Sequence, residues 1–240
     1  MAEATFTAVT TVGDAELNGL VAAQSSGAGV NQMAIEISSK AKSVGRLLQT
    51  GMAIGNGTSP NLNSLHSLVD SSQYTAASAG QALSLELLDA LMDLVKAKDG
   101  EVDFIMMPSR TIRSYKALVR ALGGVNETMV FTMPNGTTRN VSTYEGIPIF
   151  KNDYLSVVET ANGAAISGGA LTSVYAGCWD DGSNKVGVAM IHPIAVPAGI
   201  AVEMVGTAET KDEQIMRVKS YSNFAQFNRR GTARLTSINN

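Results

Sequence analysis

The apolar positions change period several times along the chain. In "MAEATFTAVTTV", Phe6, Ala8 and Thr10 alternate with Thr5, Thr7 and Val9, which predicts an extended strand. "QSSGAGVN" has no periodicity and reads as a loop. From Asn31 the step lengthens. Met33, Ile37, Ala41, Val44 and Leu48 form one stripe along a helix running to about Thr50, with Asn31 as N-cap. Lys40, Lys42 and Arg46 lie off that stripe, and Gly51, Gly55 and Gly57 end the helix before the turn-rich "GNGTSPNL". "SSQYTAASAG" reads as a second loop.

"SLELLDALMDLVKAKDG" carries the clearest helical pattern. Ser84 caps it, Leu88, Leu91, Met92 and Val95 form the buried face, and Gly100 stops it in a left-handed conformation. Glu86 and Asp89 near its start and Lys96 and Lys98 near its end follow the helix dipole. "EVDFIMMP" predicts a short buried strand. Ser109 opens another helix, with Ile112, Tyr115, Val119 and Leu122 inward and Gly123-Gly124 as its stop. Strand patterns then take over. "TMVFTM-PNG-TTRNVST" predicts a hairpin around Asn135-Gly136, "YEGIPIF" a short strand, and "TSVYAGCW-DDGSN-KVGVAMI" a second hairpin. Two more strands follow, from Ile200 to Thr207 and from Gln214 to Phe227. Without regular βαβ alternation or an internal repeat, the predicted class is α+β, helices early and antiparallel strands late.

Composition narrows the function. The 240 residues are 45% hydrophobic, enough for a sizeable core. The net charge of -3 lacks the basic excess of a dedicated duplex binder. No apolar run reaches the ~20 residues of a membrane span, and no signal peptide is visible. The Asn-x-Ser/Thr triplets at Asn56, Asn126, Asn135 and Asn140 therefore carry no expectation of glycosylation. Cys178 is the only cysteine, which excludes an internal disulfide and a Cys-rich zinc site.

Candidate chemistry is sparse. The two histidines, His66 and His192, lack a recognisable partner motif and read as structural. No nucleophile elbow, phosphate loop, zinc helix or dinucleotide fingerprint is present. Asp180, Asp181 and Asn184 lack the spacing of an EF-hand and read as a hairpin turn. Cys178 reads as a small core residue. The residues imply no cofactor and no metal.

Taken in order, "ATFTAVT", "NQMAIEISSKAKSVGRLL", "GNGTSPNLNSLHSLV", "LSLELLDALMDLV", "VDFIMMPSRTIRSYKALVRALGG", "YEGIPIF", "SVYAGCW" and "FNRRGTARLTSI" resemble the major capsid protein of tailed bacteriophages, with the Hong Kong 97-type fold. The likeness spans nearly the whole chain. It implies part of an E-loop over residues 1–23, a peripheral (P) domain with its spine helix over 24–70, and an axial (A) domain over 71–195. It further implies P-domain strands over 196–229 and a return to the A domain over 230–240. The N-arm and first E-loop strand usual in that family do not precede "ATFTAVT" in this sequence, which leaves open removal of that part, a fragment or a shorter lineage, and no cross-linking Lys–Asn pair aligns.

The resemblance implies self-assembly into an icosahedral shell of hexamers and pentamers around double-stranded DNA, without enzymatic activity. It implies scaffold, portal and decoration proteins as partners, packaged DNA contacted non-specifically, and no membrane. The location implied is the virion capsid after synthesis in the host bacterial cytoplasm. A mildly acidic chain suits DNA that must not be gripped. An encapsulin-like compartment is the alternative within the fold, a hydrolase using His66 or His192 the alternative outside it, and a DNA-binding module a further one. The assembly interface is expected at Phe6, Val9, Tyr221, Phe224, Phe227, Arg229 and Arg230. In a strand, Tyr221, Asn223, Ala225 and Phe227 share one face and Ser222, Phe224 and Gln226 the other, so each face mixes aromatic and polar groups. Arg229 or Arg230 is expected to pair with an acidic group on an adjacent subunit.

Overall fold

The computed structural model describes residues 6–27, 31–58, 60–98, 100–133, 135–183, 185–194 and 199–239. Strand β1 is Val9–Asn18, so it starts later and runs further than the alternating stretch; residues 6–8 are not strand, and those before Phe6 lie outside the described residues. Helix α1, Gly19–Gly27, follows at once, and the Leu20 amide donates to Asn18 Oδ1 (3.0 Å). This helix corrects the expected loop as far as Gly27. Its apolar residues are consecutive rather than periodic, and Leu20 and Val21 are exposed.

Helix α2 is Gln32–Ile54, about 34 Å long. Its cap is as expected: Asn31 Oδ1 accepts from the Ala34 amide at 3.1 Å. Val44 is buried and the rest of the predicted stripe half-buried, while Ile35 and Leu47 are exposed. Gly51 does not end the helix. It lies inside, because a Cβ there would come within 2.5 Å of Leu62 Cδ1. The glycine serves close packing and is not the expected stop.

A short helix α3, Leu65–Leu68, is held by a capping box between Ser64 and Ser67. A 3-10 turn over Ser71–Gln73 leads into β2, Tyr74–Gln81, where a loop was expected. Helix α4, Leu85–Lys96, has Ser84 as N-cap and buries the predicted face of Leu88, Leu91, Met92 and Val95. Gly100 is not left-handed. Its amide donates to Val95 O (3.1 Å), and a Cβ would meet Val95 Cγ1 at 2.7 Å, so close approach requires the glycine. Strand β3, Phe104–Met107, is wholly buried.

Helix α5 is Ser109–Ala121. Tyr115 is buried and Ile112 and Val119 half-buried, but Leu122 lies beyond the last turn and is exposed, contrary to expectation. Gly123 (φ +73°) provides the stop. Strands β4, Thr128–Thr132, and β5, Thr138–Tyr144, form the predicted hairpin, with Gly136 at φ +81°. A two-residue turn at Glu145 and Gly146, both left-handed, links β5 to β6, Ile147–Lys151. The remaining strands are β7, Thr172–Gly177, β8, Val188–Ile191, β9, Ala201–Thr207, β10, Glu213–Gln226, and β11, Thr232–Ile238.

The chain divides into two compact units. One comprises Met1–Met52, Gly57–Asn63 and Met190–Phe224, the other Ala53–Asn56, Ser64–Ala189 and Ala225–Asn240. The first holds β1 and β9 antiparallel to β10. The second holds a seven-stranded sheet in the order β2-β11-β7-β3-β6-β5-β4. Its strands are not all antiparallel: β2 runs parallel to β11 and β3 parallel to β6. The class is α+β, with the helices early. The predicted β7/β8 hairpin does not form, since β7 joins the seven-stranded sheet and β8 the sheet of β10. Among the described residues an isolated bridge, Trp179 with Val188, links their ends.

Helices α4 and α5 both bury side chains in the core of the second unit, with Ile105, Met107, Val174, Leu235 and Ile238. Each fully buried Leu, Ile or Val contributes about 1.5–3 kcal/mol. The unit also buries charge: Arg234 on β11 is fully buried. Its Nη2 donates to Glu159 (3.0 Å), its Nε to Ser173 Oγ (3.0 Å), and Ser173 Oγ donates in turn to Glu159. Its guanidinium lies 5.3 Å from the Tyr74 ring and 5.6 Å from the Tyr175 ring. Breaking such a pair strands a buried charge. Glu159→Ala is expected to cost about 3–5 kcal/mol in urea unfolding, and Glu159→Leu with Arg234→Met to recover most of it. Equal losses in the single and double variants would show that the ion pair does not carry the effect.

Candidate assembly interface

The first unit presents sheet edges. Strand β10 is the spine of its sheet, and Asp14 on β1 faces Arg217 on β10 directly, with Arg217 donating to both carboxylate oxygens (2.8 and 3.0 Å). The hydrogen bond from Arg217 holds the Asp14 carboxyl below the usual carboxylate range. On the other side, Lys219 of β10 pairs with Glu203 of β9. β9 ends the sheet and exposes Val202, Met204 and Val205, and β1 exposes Val12. An apolar edge strand in water templates pairing with another chain.

Phe6, Val9, Tyr221 and Phe224 lie in this unit, all half-buried. Val9 is paired with Ser222 and Thr10 with Tyr221. Buried Asn223 ties the segment down: its Nδ2 donates to Thr7 O (2.6 Å) and its Oδ1 accepts from the Asn63 amide (2.8 Å). Beside these residues runs an open groove of about 440 Å³, lined by Thr7–Thr10, Gly57, Pro60, Asn61, Asn63 and Asn223. Ser222 and Asn223 are both buried, so β10 is covered on both faces there.

Phe227, Arg229 and Arg230 belong to the second unit. Phe227 is half exposed, and its amide donates to Gly187 O (3.0 Å). Arg229 pairs with Asp70 of its own chain. Hydrogen bonds from Ser72, then the Arg229 guanidinium, hold the Asp70 carboxyl down at about 2. The expected intersubunit pair therefore does not need Arg229. Arg230 is exposed, and its guanidinium has no partner among the described residues; its carbonyl accepts from Gln73 Nε2 (3.0 Å). Sequence reading missed the exposed apolar groups of β9 and of the β4–β5 hairpin, where Met129, Val130 and Phe131 are exposed. The available signal was that "AVEMV" and "TMVF" put apolar residues on both faces of a strand.

The chemical alternatives gain no geometry. Among the described residues, no hydrogen bond joins either histidine to a hydroxyl, thiol or carboxylate. His192 Nδ1 lies 3.1 Å from Pro193 O and is exposed, and His66 Nδ1 is buried without a partner. Asp180 and Asp181 accept the amides of Gly182, Ser183 and Lys185 at 2.7–3.0 Å, which makes them turn residues; Asn184 lies outside the described residues. Cys178 is buried, and burial pushes its thiol up. No group of three or more metal-ligating side chains occurs among the described residues.

No protein-family model matches the chain, and no curated protein matches it in sequence. Solved structures do. The SrpI encapsulin in its holo complex from Synechococcus elongatus PCC 7942 superposes with a TM-score of 0.76 at 16% identity, over 97% of this chain and 74% of the encapsulin. The capsid of a native GTA particle gives 0.60 at 11% identity, over 96% and 74%. The capsid of the Myoviridae phage XM1 gives 0.54 at 15% identity, over 96% and 74%. The chain has the Hong Kong 97-type shell fold. The likeness covers 96–97% of this chain, so both units take part in it, and about three quarters of each of these neighbours.

One pH effect follows from the second unit. Burial, then the charge of Arg234, lowers His66 from 6.5 to about 4. The unfolded chain binds the proton more readily, so stability falls as pH drops from about 6.5 to about 4 and levels off below. His66→Gln is expected to remove this component from the pH dependence of urea unfolding, and an unchanged profile would refute it.

Proposed function

We propose that this chain is a major capsid protein: it assembles with copies of itself into an icosahedral shell of hexamers and pentamers around the double-stranded DNA of a tailed phage. The likeness of 96–97% of the chain to shell proteins supports the reading most strongly. The exposed apolar edges fit it physically. Many moderate interfaces, each about 1,000–2,000 Å², hold a shell together while letting misplaced subunits leave. The protein acts by assembly and not by catalysis, and scaffold, portal and decoration proteins are its further partners. In this reading the first unit serves as P domain, with α2 as spine helix and β1 as part of the E-loop, and the second as A domain. Phe6, Val9, Tyr221, Phe224, Phe227, Arg229 and Arg230 contribute to subunit contacts, with Arg230 as the intersubunit cation because Arg229 is engaged by Asp70.

A second reading, an encapsulin-like compartment, is favoured by the TM-score of 0.76 with the SrpI encapsulin against 0.60 and 0.54 with the two capsids. Particles from the native source separate the two. In negative stain, closed shells are expected in both cases. Nuclease-resistant double-stranded DNA inside them is the phage outcome, and a co-purifying protein cargo without DNA is the other. No closed particles under any scaffold or salt condition would overturn both. Arg230→Ala is expected to leave the fold intact by circular dichroism and to lower the yield of shells, most at low salt and less as salt screens the pair in the parent. Normal yield at every salt would remove Arg230 from the interface.

A further inference from the structure

The second unit displays two helix faces of opposite charge and equal spacing. On α4, Glu86, Asp89 and Asp93 are exposed, separated by three and then four residues. On α5, Arg113, Lys116 and Arg120 repeat the same three and four, with Arg113 and Arg120 exposed and Lys116 half-buried. Each set spans about 10 Å along one side of its helix. No carboxylate occurs within α5, whose four cations stand against a chain of net charge -3.

These faces do not neutralise each other within one molecule. Among the described residues no ion pair joins α4 to α5. Asp89 accepts from the Tyr144 hydroxyl and keeps acceptor capacity to spare. Lys96, next on the acidic side, is drawn off to Glu145 at 3.7 Å. Arg113 Nε reaches only the Ser109 carbonyl, at 3.4 Å. Both helices bury their apolar sides in the same core, which fixes the charged sides outward.

We infer that the acidic face of α4 docks on the basic face of α5 of a second copy of this chain. The three carboxylates and three cations match in number, sign and spacing, a complementarity that steers association and fixes register. Because the two faces differ, the contact is head to tail, and repeated around a rotation it closes a ring. The inference rests on the proposed function in one respect, that the partner is another copy.

Charge reversal tests it. Glu86→Lys with Asp93→Lys makes both faces basic, and Arg113→Glu with Arg120→Glu makes both acidic; Asp89 is left to hold Tyr144. By sedimentation velocity at low salt, each variant alone is expected to associate at least about tenfold more weakly than the parent. An equimolar mixture associates again, through alternating copies, and loses that association in about 0.5 M salt. Circular dichroism and melting confirm folding, with Glu86→Gln/Asp93→Asn as the milder variant should reversal unfold the chain. Variants that associate like the parent, or a mixture of folded variants that stays monomeric, overturn the inference. Heteromers in the mixture without shells in the parent would count against the proposed function alone.

Discussion

The docking of β11 between β2 and β7 is the constraint on which the second unit depends. Among the described residues β2 reaches the rest of the seven-stranded sheet through β11 alone, and α4 packs on β2, β11 and β7. Every residue of β11 is buried. Removing it would strip β2 and take part of the floor from under α4. The strand is also where the unit places its buried charge. Arg234 needs Glu159 and Ser173 on one side and the rings of Tyr74 and Tyr175 around it, so the position of β11 is fixed by hydrogen bonds as well as by apolar burial. Gly163 completes the site, because a Cβ there would lie 2.3 Å from Arg234 Nη2. Such a device sets register: a slip of one residue would turn the guanidinium to the other face of the sheet.

The first unit is built on a different principle. β10 is flanked by partners, and its charges are answered across the strands by Asp14 and Glu203. Apolar side chains remain uncovered on β9, α1 and α2. A single domain with finished surfaces would hide these groups or replace them with charge. Under the proposed function they are halves of contacts completed by other copies. That is the physical link between the Hong Kong 97-type fold and assembly.

Much of this was legible in the sequence where one element carries its own signal. The stripe on α4, the cap at Asn31, the all-apolar β3 and the Asn135-Gly136 turn each follow from local chemistry. What escaped depends on partners distant in sequence. β2 is a run of small residues without alternation, and it is a strand because β11 pairs with it. β7 and β8 flank a turn of Asp side chains that looks like a hairpin, yet each strand finds a better neighbour elsewhere. In the sequence Gly51 and Gly100 read as punctuation, whereas in the fold Leu62 and Val95 crowd them. The expected interface is a list of aromatic and arginine positions drawn from local words of the sequence. The structure separates Arg229, satisfied by Asp70, from Arg230, which is not. The charged faces of α4 and α5 were in plain sight, but they become a possible contact only once both helices are known to turn their apolar sides into one core.

The central claim is that this chain completes its surfaces with copies of itself. Light scattering behind size-exclusion chromatography tests it most directly. The account predicts species far above the monomer mass, growing with concentration toward closed particles. A monomer at every concentration and salt, with the fold intact by circular dichroism, would contradict it.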